Sequence, residues 1–196
     1  MRELIIAEFI TLDGVIQAPG GDTEDTEGGF RHGGWTRPYW HDEIGRHFFQ
    51  TMESADAFLL GRKTWQIHSI FETMKEPFAD ALNAVKKYVV STTLQSTDAW
   101  RNSTIIRGDV VQAVRDLKAQ PGKNILLDGS SVLAHTLIEN DLVDEYSLHV
   151  YPLVLGSGKR LFPDGKRVNL ELVSSEAMPT GVVFQRYRPA GKTAEG

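Results

Sequence analysis

Apolar positions along this chain form short runs separated by helical stripes and glycine-rich turns. "LIIAEFITLDG" (4–14) is an apolar run broken by Glu8 and closed by the turn pair Asp13-Gly14, which predicts a strand. "HDEIGRHFFQTM" (41–52) spaces Ile44, Phe48 and Met52 four apart and predicts a helix. "DAFLL" (56–60) predicts a short buried strand, and "EPFADALNAVKK" (76–87) a helix with Pro77 in its first turn. "YVVST" (88–92) and "STIIRG" (103–108) predict strands. "DVVQAVRDLKAQPG" (109–122) predicts a helix capped by Asp109 and stopped by Pro121-Gly122. "NILLDG" (124–129) has the unbroken apolar run of a strand covered on both faces, and "SSVLAHTLIENDL" (130–142) follows it as a helix. "DEYSLHVYPLVLG" (144–156) is the longest predicted strand, with Pro152 suggesting a bulge or an edge. "NLELVSSEAMPTGVVFQRYR" (169–188) predicts two strands around Pro179-Thr180-Gly181.

Strand and helix alternate through residue 140, which predicts an α/β sheet with helices on both faces. The C-terminal strands lack intervening helices and should add antiparallel edges. One domain over 1–188 and a frayed tail over 189–196 are expected. The segment "QAPGGDTEDTEGGFRHGGWTRPYW" (17–40) has no periodicity. Loops this long are functional or disordered, and its aromatics argue against disorder.

Composition narrows the function classes. The chain has 196 residues, enough for one sizeable core, and 24% of them are charged. The net charge of −5 lacks the basic excess expected of a general nucleic-acid binder. With no cysteine, disulfides, thiolate metal sites and cysteine nucleophiles are excluded, which is compatible with a cytoplasmic protein. No run reaches the apolar length of a membrane span. His68, His135 and His149 lack carboxylates at metal-ligand spacing, so no metal is expected. Asp22, Glu24, Asp25 and Glu27 do not fit the calcium-loop spacing and read as a solvated acidic loop.

Two strand ends carry candidate chemistry. In "AFLLGRKTWQ" (57–66) a buried strand stops at Gly61 and presents Arg62, Lys63 and Thr64. In "LLDGSSVL" (126–133) a strand runs through Gly129 into a helix that opens with Ser130 and Ser131. First-turn amides have no partner inside their helix and attract anions, and ligands of open α/β sheets collect at strand carboxyl ends. Both stretches are candidate halves of one phosphate site. A capped helix and solvated cations are the plainer alternative.

The ordered set "TLDGVI" (11–16), "LLGRKTW" (59–65), "VVSTT" (89–93) and "LLDGSSVLAHTLIENDLVDEYSLHVYPLVLGSGKRLF" (126–162) resembles the dihydrofolate reductase-like superfamily. Within it, the chain looks most like the RibD C-terminal-domain branch of riboflavin-pathway reductases, over about residues 3 to 188. The resemblance implies an NADPH-dependent reductase on a central, mostly parallel sheet. It assigns Arg62, Lys63 and Thr64 to cofactor phosphates. It places Ser91, Thr92 and Arg107 near the 2′-phosphate, Gly129, Ser130, Ser131 and Val132 at the pyrophosphate, and Ile16 at the nicotinamide carboxamide. A homodimer built on the C-terminal strands is also implied. Asp128 stands where the family often has glycine.

Hydride transfer needs positioning and, on the accepting side, a proton donor. Asp42, at a predicted helix start, is the candidate donor that the resemblance implies, and the helix dipole alone also explains an acid there. His32 and His41 are alternatives. Trp35, Tyr39 and Trp40 are candidates to stack a pterin- or pyrimidine-like ring, or else to pack a lid onto the core. Two further readings stay open: a non-catalytic nucleotide- or pterin-binding module on the same scaffold, and a flavin-using oxidoreductase.

Overall fold

In the computed structural model, which describes residues 1–191, eight strands form one sheet. They are β1 (Leu4–Thr11), β2 (Ala55–Gly61), β3 (Lys86–Val90), β4 (Ser103–Ile106), β5 (Asn124–Leu127), β6 (Glu145–Tyr151), β7 (Leu170–Ala177) and β8 (Val183–Pro189). The helices are α1 (Asp42–Glu53), α2 (Arg62–His68), α3 (Pro77–Ala84), α4 (Val110–Ala119) and α5 (Ser131–Glu139). The strand order is β4-β3-β2-β5-β1-β6-β8-β7. The first six strands in that order pair in parallel, and β8 and β7 add the antiparallel edge.

The unbroken apolar runs follow from this layering. Leu4 and Ile6 of β1, Ala57 and Leu59 of β2, and Ile125 and Leu127 of β5 pack on one face with Val114 of α4 and Leu137 of α5. Their alternates Ile5, Ala7, Phe58, Leu60 and Leu126 pack on the other face with Met52 of α1, Trp65 of α2 and Leu82 of α3. A strand buried on both sides has no polar side to show. Glu8 is therefore the anomaly of β1: it is buried between Ile6 and Ile10, on the face of the first cluster.

Three expectations change. Arg62 to His68 form a helix directly after β2, so Gly61 joins strand to helix without an intervening loop. β6 is neither an edge strand nor the longest: it lies between β1 and β8 and has 7 residues, against 8 in β1 and in β7. Pro152 simply follows its last residue, where a missing N–H ends the ladder at no cost. The chain also stays ordered past 188: β8 runs to Pro189, and the Ala190 amide donates to Asn169 O at 2.8 Å. The rest of the expected tail, 192–196, lies outside the described residues.

The segment 17–40 crosses the carboxyl ends of the strands as a strap with its own core. Phe30 and Trp35 pack with Ile44 of α1, Tyr151 of β6 and Phe184 of β8. Among the described residues no helix is long and apolar enough to cross a membrane.

Candidate functional site

A cleft of about 550 Å³ opens at the carboxyl ends of β1, β2, β3 and β5, beneath the strap. Both candidate junctions line it. They also touch each other: a Cβ added to Gly61 would overlap Ser130 Oγ, and one added to Gly129 would meet Thr64 Oγ1 at 2.8 Å. Gly129 has φ +68°, a left-handed conformation that glycine adopts without strain. Any side chain at either glycine would push the junctions apart.

Ser130 holds the N-cap position of α5 without making a side-chain cap bond, so the first amides of that helix are left for a partner in the cleft. Eight of the sequence-derived candidates line this cleft: Ile16, Arg62, Lys63, Thr64, Gly129, Ser130, Ser131 and Val132. An amide-rich floor, open hydroxyls and basic side chains are a donor set that suits a phosphorylated nucleotide.

Ser91 and Thr92 follow Val90, the last cleft residue of β3, and Arg107 follows Ile106 of β4, but none of the three lines the cleft. Ser91 Oγ accepts from Leu94 N at 2.9 Å, and Arg107 Nη1 donates to Thr92 O at 3.0 Å, so these residues shape the turn after β3.

The aromatic and acidic candidates go elsewhere. Trp35 is buried, and its Nε1 donates to Gln17 O at 2.8 Å. Tyr39 packs edge-on against Tyr151, and Trp40 is 55% exposed. None of the three lines the cleft: Trp35 and Tyr39 pack with the strap core around Tyr151, and Trp40 faces solvent. Asp42 is exposed on the first turn of α1 and is likewise absent from the cleft wall. His41 caps the same helix, its Nδ1 accepting from Glu43 N at 3.3 Å.

The acidic loop is not simply solvated. Lys63 Nζ lies 2.5 Å from Glu27 Oε2, and Lys159 Nζ lies 2.6 Å from the same oxygen and 2.5 Å from Asp25 Oδ2. Hydrogen bonds from Lys159 and Lys63 hold the Glu27 carboxyl down at about 2. Burial opposes the charge on Lys159, but its bonds to Asp25 and Glu27 leave it above the usual lysine range. Gln17 completes the stitching, its Nε2 donating to Asp25 O and Glu27 O, both at 3.1 Å.

Deeper in the cleft sits a second group of acids. Glu8 Oε1 accepts the Gly129 amide at 2.8 Å. Burial, then the neighbouring Asp128, pushes the Glu8 carboxyl well above the ordinary range, against the pull of that amide. Burial also raises Asp128, although His68 Nδ1, 3.9 Å from its Oδ2, favours its charge. A carboxylate beside a phosphate site is unfavourable, and a neutral carboxyl is not. Sequence reading missed Glu8 as a site residue, although a lone acid in an apolar run was its signal. Lys159 gave no local signal.

A sequence model of the RibD C-terminal domain matches residues 2–184. The uncharacterized protein YyaP of Bacillus subtilis is 32% identical over 190 residues, covering 93% of this chain and 92% of that protein. The uncharacterized protein YwjB of the same organism is 28% identical, covering 82% of this chain and 83% of YwjB. A putative riboflavin biosynthesis protein from Shewanella sp. PV-4 superposes with a TM-score of 0.74 at 22% identity, covering 95% of this chain and 98% of its own. A pyrimidine reductase-like protein from Corynebacterium diphtheriae superposes with a TM-score of 0.67 at 14% identity, covering 96% and 92%.

Proposed function

The chain belongs to the RibD C-terminal domain family, and from that premise we propose that it is an NADPH-dependent reductase of a small heterocyclic, pterin- or pyrimidine-like, or carbonyl substrate. One observation carries the reading. Two strand-to-helix junctions, distant in sequence, press together at Gly61 and Gly129 in one cleft with Arg62 and Lys63 beside them. The cleft volume of about 550 Å³ is in the range of small-molecule and cofactor sites.

When bound, the dinucleotide supplies the hydride. The chain's own residues supply position and charge. Gly129, Ser130 and Ser131 offer amides and hydroxyls to the pyrophosphate, and Arg62 and Lys63 offer cations to phosphate oxygens. Ser91, Thr92 and Arg107, beyond the cleft wall, join Arg62 and Lys63 at the 2′-phosphate end. Ile16, at the end of the first strand-turn unit, faces the nicotinamide. Apolar Phe9 and Phe48 flank the remaining space and suit a flat ring.

Titration with NADPH, followed by quenching of tryptophan emission, tests the reading. Saturable binding is expected, and no binding at millimolar cofactor rejects it. The position of Asp42 outside the cleft favours a second reading, a ligand-binding module without turnover. Binding of pterins and pyrimidines with no oxidation of NADPH distinguishes that case. A homodimer is also proposed, now through β7: this edge strand leaves Leu172 57% and Val173 48% exposed. Sedimentation as a monomer at micromolar concentration rejects it.

A further inference from the structure

The reductase reading leaves its proton donor unassigned, and Asp42 does not reach the cleft. We propose that Glu8, backed by Asp128, is the acid that protonates the substrate atom next to the hydride-accepting carbon. The proposal rests on the reductase reading and adds to it the identity of the catalytic acid.

Geometry singles Glu8 out. It is 7% exposed, yet it lines the cleft. One of its oxygens, Oε1, is fixed by the Gly129 amide at 2.8 Å. The other, Oε2, has no hydrogen-bond partner among the described residues and is left for a ligand. The residue sits on β1, the strand whose end leads to Ile16, between the apolar walls Phe9 and Phe48 and the Gly129 junction. A rigid central strand holds such a group with less freedom than a loop or a helix terminus.

Its charged surroundings come from three elements. Asp128 at the end of β5 and Glu24 on the strap both disfavour a charge on Glu8. His68 of α2 faces Asp128. Glu24 itself is tied to the strap by the Gly20 and Gly21 amides at 2.7 and 2.9 Å. Burial and these like charges favour the protonated carboxyl, the form a general acid needs.

The step balances. The C=N or C=O carbon receives a hydride from the reduced nicotinamide, which is thereby oxidised. The π pair moves to the nitrogen or oxygen, which forms a bond to the Glu8 proton as the Glu8 O–H bond breaks. The resulting carboxylate recovers a proton from water, with Asp128 and His68, which also line the cleft, as the relay.

Glu8→Gln tests this in the full-length protein, since the amide keeps an acceptor for Gly129 but cannot titrate. The first readout is infrared, on the NADPH-bound protein at neutral pH, and does not depend on turnover. A protonated-carboxyl carbonyl band is expected in the parent and absent in Glu8→Gln. In Asp128→Asn the band should persist and titrate away at lower pH, because the neighbouring acid is gone. The second readout is NADPH oxidation with a dihydropterin, a pyrimidine and a quinone. Glu8→Gln should slow hydride transfer about 100-fold with NADPH affinity unchanged. Absence of any band sensitive to Glu8→Gln overturns the proposal. So does undiminished hydride transfer in the variant, or a loss confined to NADPH affinity, which would make Glu8 a positioning residue for the Gly129 junction. Failure of the parent protein to bind NADPH rejects the reductase reading instead, and is seen separately.

Discussion

The two glycine junctions and the strap border the same cleft, but sequence pattern serves them differently. At Gly61 and Gly129 the chain turns from a buried strand into a helix, and each turn leaves its neighbouring cations or hydroxyls at the cleft. The strand fixes where the turn occurs, so residue type and spacing foretell the outcome. The strap has no periodicity, and the direction of each side chain is decided by what lies beneath it. Trp35 is therefore a core residue and Lys63 is already paired.

The largest effect should come from treating the strap as core. Trp35→Ala removes a side chain that is 6% exposed and is expected to destabilise by about 3–5 kcal/mol in urea unfolding. Trp40→Ala, at a site 55% exposed, should change stability by less than about 0.5 kcal/mol. Were Trp35 a ligand-stacking residue, its loss would lower ligand affinity and spare stability. That result would erase the contrast between strap and junction.

The junction answers differently to a small change. Gly129→Ala forces an ordinary residue to φ +68° and sets its Cβ 2.8 Å from Thr64 Oγ1. A cost of about 2–3 kcal/mol is expected from strain plus crowding, together with loss of NADPH binding. Gly28 on the strap has φ +69° but nothing within 4 Å of an added Cβ, so Gly28→Ala should cost only about 1 kcal/mol. Equal costs would mean that the two junctions are not in contact.

These contrasts mark how far the sequence could be read. The mostly parallel sheet was legible because β1, β2 and β5 bury both faces, and the pairing of Ile5 with Leu126 and Phe58 with Leu126 needs apolar residues on each. The helix at Arg62–His68 was not, since seven residues with a single buried position, Trp65, carry no periodic stripe. Glu8 was visible as an odd acid, but that it faces a cleft depends on which strand lies beside β1. The Lys159–Glu27 bridge spans 132 residues, and no local window contains both partners. Arg62 and Lys63 were thus readable as cleft cations, and Lys159 and the shared counter-ion Glu27 were not.

Smaller effects test the charges. Among the described residues Arg62 is held only by Gln66 Oε1, at 3.0 Å within its own helix, and is available to a phosphate. Arg62→Ala should weaken NADPH about tenfold more than NADH, the size of one charge-assisted contact of about 1.4 kcal/mol. Equal losses would move the 2′-phosphate away from α2 and leave that role to Arg107. Glu27→Gln is expected to tighten NADPH a few-fold, because Lys63 and Lys159 no longer share its carboxylate.

The smallest effect is a pH dependence confined to the strap. The bonds from Lys159 and Lys63 hold Glu27 at about 2, below its ordinary value of 4.5. A carboxyl lowered by folding stabilises the native state above its unfolded value, and that contribution fades as pH falls through the folded one. The difference in stability between the parent and Glu27→Gln should therefore be constant above about pH 5 and shrink as the pH approaches 2. Because Glu27 is 56% exposed, solvent and salt screen the pairs, and the difference should be small and decline further in high salt. Amide exchange at Phe30, whose N–H bonds to Glu27 O at 3.4 Å, reads the strap directly. A lower protection factor there at low pH, without a change at the buried strand amides of β5, is the expected pattern. Simultaneous loosening of β5 would show that strap and junction unfold as one unit, and that the distinction between them holds for side-chain placement but not for stability.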